Sequence, residues 1–202
     1  MNAVQNPPEA TGARTSRGRW KLIAVLLVCA APVIASYLTY YVIRPEGRTN
    51  YGELIEPMPA ITGLAVGTAA GAPSDLGAVG GKWTMVVIEP GDCAKVCQDR
   101  LYAIRQVRLT TGKERERVER LLLLTSPAVP APEVLAGHEG LHLRRAAPAA
   151  VAGVFPAPGG AASDHIYVVD PLGNVMMRFP ADADPSRMKK DLAKLLRASR
   201  IG

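Results

Sequence analysis

The sequence predicts an α/β domain attached to one N-terminal transmembrane helix. Two observations lead to this fold class. One long uncharged apolar stretch lies near the N-terminus, and short apolar runs rich in β-forming residues alternate with helical patterns over the second half of the chain. The chain of 202 residues has room for one domain of ordinary size in addition to an anchor. We expect a disordered cytoplasmic tail over residues 1–21, the transmembrane helix over 22–43, a flexible tether over 44–80 and the α/β domain over 81–202.

The transmembrane helix is predicted from Leu22–Ile43, a stretch of 22 residues without a charged side chain. At about 1.5 Å per residue such a helix spans roughly 33 Å, which exceeds the roughly 30 Å of a bilayer's hydrocarbon core. A cleaved signal peptide is disfavoured because apolar and aromatic residues continue past the candidate cleavage site at Val33–Ala35. A lipoprotein signal is disfavoured because Cys29 follows Val28, where a small residue is required. We therefore expect an uncleaved anchor.

The basic residues predict the orientation of the anchor. Arg14, Arg17, Arg19 and Lys21 precede the apolar stretch, and only two basic residues follow it closely. Because the more basic flank stays in the cytoplasm, residues 44–202 are expected on the other side, in the periplasm of a bacterium, with the mitochondrial inner membrane as the alternative. The net charge of +6 includes those four residues, and the other basic residues are dispersed among acids without an aromatic-interleaved stripe. Nucleic acid is therefore not an expected partner.

The first elements of the domain form a strand–helix–strand unit. Lys82–Ile88 is an apolar, β-rich run of the type that is buried on both faces of a sheet. A helix is expected to follow over about Ala94–Leu109, with apolar residues along one side. The charged run Lys113–Arg120 is interpreted as a solvated turn or helix end, and Leu121–Thr125 as a central strand. Within the tether, we expect one short strand around Ile61–Val66.

The remaining elements lead to the closing part of the fold. A weak helix is expected over residues 131–136, a short strand over 141–144 and an exposed loop over 146–163. The two strands of a β-hairpin follow over 165–170 and 174–179. Asp184 and Pro185 then begin a final helix with one apolar face. A parallel βαβ unit followed by an antiparallel hairpin and a closing helix is the thioredoxin arrangement, so the domain is expected to be thioredoxin-like.

The candidate site consists of Cys93 and Cys97, which lie between the first buried strand and the helix that follows it. Free N–H groups and the positive end of the helix favour a thiolate at this position. A spacing of four residues along a first helical turn places both sulfurs on one side, where they can share a soft metal ion or form a disulfide. A structural disulfide is the alternative, since an oxidising outer compartment permits it.

Cys29 and the three histidines are the other potential metal ligands of the cysteine and histidine type in the sequence. Cys29 lies inside the apolar stretch and is interpreted as a small packing or lipid-facing residue. His165 opens the predicted hairpin, next to the cysteine loop of a thioredoxin-like fold, and is either a structural residue or a third metal ligand. Two thiolates and an imidazole suit Cu(I), and a distorted Cu(II) site is also feasible. His138 and His142 are expected on the surface, in a turn.

The chain resembles the Sco proteins, anchored copper-binding factors that assist assembly of the CuA centre of cytochrome c oxidase. The resemblance covers roughly Gly81–Ser199. It rests on the Cys-x-x-x-Cys pair, on Asp164-His165 before a Tyr-Val-Val strand, and on the Asp-Pro-x-Gly hairpin at Asp170–Gly173. By this resemblance Cys93, Cys97 and His165 are the copper ligands. The chain departs from the family's usual proline after each cysteine, where it has Ala94 and Gln98, and its histidine is closer to the strand.

Three functions follow from these features. The leading one is a copper-binding protein, not an enzyme, whose partner is a cytochrome c oxidase subunit or another copper protein. The second is a membrane-tethered thiol–disulfide oxidoreductase that uses Cys93 and Cys97, although the absence of Cys-x-x-Cys disfavours a general reductase. The third is a non-catalytic thioredoxin-like scaffold in which the two cysteines form a stabilising disulfide.

Overall fold

A computed structural model describes residues 15–43, 50–76, 80–180 and 182–201 of the chain. The chain divides into two compact units, Met1–Arg48 and Thr49–Gly202, which we call the N-terminal and the C-terminal unit.

The N-terminal unit contains one long helix, α1, over Thr15–Leu38, which continues as a π-helical turn over Thr39–Ile43. Its segment Gly18–Tyr41 has a mean hydropathy of 2.3 and is not buried within the unit. By length and composition this segment can cross a membrane. The predicted apolar N-terminal helix is therefore confirmed.

The C-terminal unit is built on one mixed sheet of eight strands among the described residues, in the order β1-β8-β7-β4-β5-β6-β2-β3. The strands β1 to β8 are Glu53–Leu54, Val66–Gly67, Pro73–Ser74, Trp83–Glu89, Val118–Leu124, Leu141–Arg145, His165–Val169 and Val175–Pro180. The helices α2 to α5 are Lys95–Thr110, Pro132–Leu135, Pro148–Val154 and Pro185–Ala198. Two 3₁₀ turns lie at Gly112–Arg117 and Ala162–Asp164.

The centre of the sheet is the predicted βαβ unit with its hairpin. Strands β4, β5 and β6 are parallel, while β7 runs antiparallel to β4 and pairs with β8. Strands β4 and β5 are apolar over most of their length and are buried, because helices or loops cover both faces of the sheet. The thioredoxin-like α/β fold is therefore confirmed.

The two faces of the sheet carry separate apolar clusters. On one face, α2 and α5 pack on the sheet, with Leu101, Ile104 and Leu192 in the cluster. On the other face, the cluster includes Val151 of α4, Phe155 directly after it, and Ile61 of the segment before β4. We call these the α2 face and the α4 face. Both cysteines of the pair belong to the cluster on the α2 face.

The structure differs from the predicted flexible tether over 44–80, part of which is folded into the C-terminal unit. Strand β1 pairs with β8, and Ile55 and Ile61 are buried in the cluster on the α4 face. The backbone N–H groups of Tyr51 and Gly52 donate to the Asp191 carboxylate at 2.6 and 2.9 Å. Apolar burial and these hydrogen bonds hold the segment, and they depend on partners more than 100 residues further along the chain.

Two shorter predictions also require correction. Strand β5 begins at Val118, so Val118–Arg120 belong to the buried sheet and not to a solvated turn. The turn itself is confined to Gly112–Arg117. The loop predicted over 146–163 contains α4, whose Val151 is buried against the sheet despite the Ala- and Gly-rich composition.

Candidate metal centre

The cysteine pair is positioned by the turn between β4 and α2. Strand β4 ends at Glu89, Pro90 follows, and α2 begins at Lys95. Cys93 lies within the turn with a φ of 63°, the left-handed region that few residues other than glycine adopt. The Gln98 side-chain amide donates to the Cys93 carbonyl oxygen at 3.0 Å and thereby ties the turn to the first turn of α2.

Cys93 and Cys97 form a disulfide, with their Cα atoms 5.0 Å apart. Both residues are buried, with exposed fractions of 1% and 2%. Pro90, Asp92 and Ala94 of the same turn are exposed. The buried disulfide therefore lies next to exposed residues, at the carboxyl end of the central strand.

Glu89 brings a third donor to the pair. One of its carboxylate oxygens and the sulfurs of Cys93 and Cys97 all lie within 4.8 Å of one another. The Gly91 backbone N–H donates to the Glu89 Oε1 atom at 3.0 Å and fixes the carboxylate over the turn. After reduction of the disulfide, donors this close together can hold one ion at bond lengths of about 2.0–2.3 Å once their side chains rotate toward it. The donor set suits a thiophilic metal ion.

Glu89 is not recognisable as a candidate ligand in the sequence, because its role depends on how the turn folds back. The residue is the last of an apolar strand, and its sequence neighbours do not resemble a metal motif. A carboxylate four residues before the first of two paired cysteines is the only sequence signal, and this signal is weak without the turn geometry.

His165 is not brought together with the cysteine sulfurs. It opens β7, where its Nδ1 atom lies 3.3 Å from the Phe179 carbonyl oxygen and its ring centroid lies 5.9 Å from that of Tyr167. Side chains alternate along a strand, and Tyr167 belongs to the cluster on the α4 face whereas Ile166 belongs to the cluster on the α2 face. Alternation therefore places His165 on the face opposite the cysteine pair, and its role as a ligand stays a prediction.

The other two histidines lie outside the group of Glu89 and the cysteines. His142 is on β6 and not in the predicted turn, with its Nε2 atom 3.4 Å from the Glu119 carboxylate, which also pairs with Lys82 at 2.8 Å. Burial, followed by the nearby Arg120 guanidinium, lowers the pKa of His138. The contact with Glu119 explains His142 as part of the folded unit.

Helix α2 also carries charged side chains close to the cysteine pair. Lys95 and Asp99 form an exposed ion pair one helical turn apart. The buried Arg100 reaches across to the Ser163 carbonyl oxygen in the 3₁₀ turn before β7. This contact connects the helix that carries Cys97 with the segment that leads to His165. The N-terminus of α2 contributes its positive potential at Cys97.

Comparison with protein families identifies both units. Residues 83–199 match the family described as transmembrane-like, thioredoxin-like, C-terminal domain. Residues 13–42 match the family described as transmembrane-like, N-terminal domain. No curated protein sequence matches the chain significantly.

Solved structures with the same fold include several Sco proteins. Apo Sco1 from Thermus thermophilus is 21% identical, with 76% of this chain and 98% of that chain covered and a TM-score of 0.54. Yeast Sco1 with copper bound is 15% identical, with coverage of 76% and 96% and a TM-score of 0.52. BsSco, described as a member of the Sco family of cytochrome c oxidase assembly proteins with a disulfide switch, is 13% identical, with coverage of 76% and 95% and a TM-score of 0.50. At these identities the likeness concerns the fold, and at that level the resemblance to the Sco proteins is confirmed.

Proposed function

This chain belongs to the family of transmembrane-like, thioredoxin-like proteins, and on that premise we propose that it is a membrane-anchored protein that carries copper as cargo on Cys93 and Cys97. The observation that supports this most is the convergence of two cysteine sulfurs and a carboxylate at the carboxyl end of the central strand. The same fold occurs in a Sco1 protein whose structure has copper bound.

Copper binding requires the reduced state of the pair. An external dithiol supplies two electrons and two protons, the bond between the Cys93 and Cys97 sulfurs breaks, and the dithiol becomes a disulfide. The two thiols then lose their protons when they bind the ion. Two thiolates are the donors that Cu(I) prefers, and the positive N-terminal end of α2 favours the deprotonated state.

The proposed partner is the copper centre of a cytochrome c oxidase subunit or of another copper protein. The description of BsSco as a cytochrome c oxidase assembly protein supports this choice of partner. The proposed location is the cytoplasmic membrane of a bacterium, with the C-terminal unit in the periplasm. Support comes from the apolar segment Gly18–Tyr41 and from the basic residues that precede it.

A Cu(I) titration of the full chain in detergent tests the proposal. The protein carries Cys29→Ser, because Cys29 is a free and exposed thiol in the anchor. After reduction, we expect stoichiometric Cu(I) binding in competition with a Cu(I) chelator, and loss of that binding in the Cys93→Ser/Cys97→Ser variant. The proposal is wrong if the reduced protein binds Cu(I) no more tightly than the double variant does.

A scaffold with a stabilising disulfide is the second candidate, and the burial of both cysteines favours it. An oxidoreductase is disfavoured by the absence of Cys-x-x-Cys. The scaffold predicts that the double variant loses stability and still supports oxidase assembly in cells. The copper carrier predicts that assembly fails although the variant remains folded.

A further inference from the structure

We infer that Glu89 is the third donor of this site, and that its carboxylate allows the reduced cysteine pair to hold copper as Cu(II) as well as Cu(I). The inference rests on the proposed function, because it concerns the same ion at the same cysteines. It assigns to Glu89 the place that the resemblance to the Sco proteins gives to His165.

Glu89 is the potential ligand that lies beside the two cysteine sulfurs. Glu89, Cys93 and Cys97 form the one group of three potential ligands around the cysteine pair in the described part of the chain. The Gly91 N–H donates a hydrogen bond to Oε1 of the carboxylate at 3.0 Å and thereby orients it. Each carboxylate oxygen still has a lone pair that can bind an ion. Glu89 is partly exposed, so an ion bound to it is within reach of a partner protein.

His165, the competing donor, lies on the other face of the sheet. His165 contacts the Phe179 carbonyl oxygen and the Tyr167 ring, which place it on the α4 face. To reach the sulfurs it would have to leave β7, where it pairs with Pro180. Glu89 needs no such rearrangement, since it is the last residue of β4 and the turn that carries Cys93 folds directly over it.

The two oxidation states of copper differ in the donors that they prefer. Cu(I) is soft and is satisfied by two thiolates, whereas Cu(II) prefers harder oxygen or nitrogen donors and a higher coordination number. Removing the carboxylate should therefore weaken Cu(II) binding far more than Cu(I) binding. The difference between the two oxidation states separates a ligand from a residue that only stabilises the turn.

The test compares Glu89→Gln with two controls in the full chain in detergent, on the Cys29→Ser background. Glu133→Gln makes the same change of charge at an exposed position at the start of α3. His165→Ala removes the competing donor. The reduced proteins are mixed rapidly and anaerobically with Cu(II), and affinity is measured by chelator competition together with the electron paramagnetic resonance spectrum.

We expect Glu89→Gln to weaken Cu(II) binding by about 10- to 100-fold and to change the Cu(II) spectrum, with little effect on Cu(I) affinity. Retained Cu(I) binding also shows that the variant is folded. Glu133→Gln and His165→Ala should match the parent protein. An unchanged Cu(II) affinity and spectrum in Glu89→Gln overturns the inference, as does a loss confined to His165→Ala. If the parent protein binds neither ion through its cysteines, the proposed function itself fails.

Discussion

Reduction of the Cys93–Cys97 disulfide should lower the free energy of unfolding of the C-terminal unit by about 2 kcal/mol. The cysteines are separated by four positions, so the bond closes a loop of five residues, from 93 to 97. The chain-entropy relation for a loop of this length gives about 7 cal/mol/K, or about 2 kcal/mol at 25 °C. A disulfide that closes a loop of about 100 residues would contribute more than twice as much.

This magnitude bears on function, because a copper carrier must stay folded when its cysteines are reduced. Domains of ordinary size are stable by about 5–15 kcal/mol, so a loss of about 2 kcal/mol leaves the reduced unit folded. The midpoint of thermal unfolding should fall by about 4–8 °C, given about 2–4 °C per kcal/mol for a domain of this size. A disulfide on which the fold depended would show a much larger effect.

Urea unfolding of the full chain in detergent, followed by tryptophan fluorescence, measures the effect. Trp83 is 4% exposed and reports the core, and Trp20→Phe removes the second tryptophan of the chain. The Cys29→Ser background excludes intermolecular disulfides. Reductant should have no effect on the Cys93→Ser/Cys97→Ser variant, which serves as the control. Unfolding of the unit on reduction, or a loss above about 4 kcal/mol, would refute the reasoning and favour the scaffold.

Three further outcomes are expected. Asp191→Ala should destabilise the C-terminal unit by about 3 kcal/mol in urea unfolding, because the N–H groups of Tyr51 and Gly52 lose a buried carboxylate acceptor. Burial raises the pKa of Tyr167 to about 12. The stability that the neutral phenol contributes should therefore be complete below about pH 10 and be lost as the pH rises through about 12. Ultraviolet absorbance titration measures the pKa, and urea unfolding at each pH measures the stability. Arg120→Met should raise stability by about 1 kcal/mol in urea unfolding, because the buried Nε and Nη1 of Arg120 have no acceptor among the described residues.

The parts of the fold that follow from local pattern were predictable from the sequence. Strand β4 is a continuous apolar run, and α5 repeats apolar residues at helical spacing, with Met188 and Leu192 buried. The segment 50–76 was not predictable in this way, because its strands have two residues each and show no period. Its structure depends on distant partners, such as the pairing of Glu53 with Arg178, which no local window contains.

The candidate site was predictable in part. The position of Cys93 and Cys97 after a buried strand and before a helix is enough to place them at the carboxyl end of that strand. The structure brings them together there. The sequence also predicts which residues share a sheet face with His165, because alternation along β7 groups it with Tyr167 and not with Ile166. The role of Glu89 could not be predicted from the sequence, because its approach to the sulfurs depends on the left-handed backbone of Cys93.

That backbone conformation connects the redox state of the pair with access to it. A left-handed conformation at a residue other than glycine costs about 1–2 kcal/mol and persists where its surroundings impose it. In the oxidised state, the bond to Cys97 and the hydrogen bond from Gln98 both hold Cys93 in place. Reduction removes the first of these restraints, so the strained turn can relax. Under the proposed function, this relaxation would let an ion reach the thiolates once the disulfide is reduced.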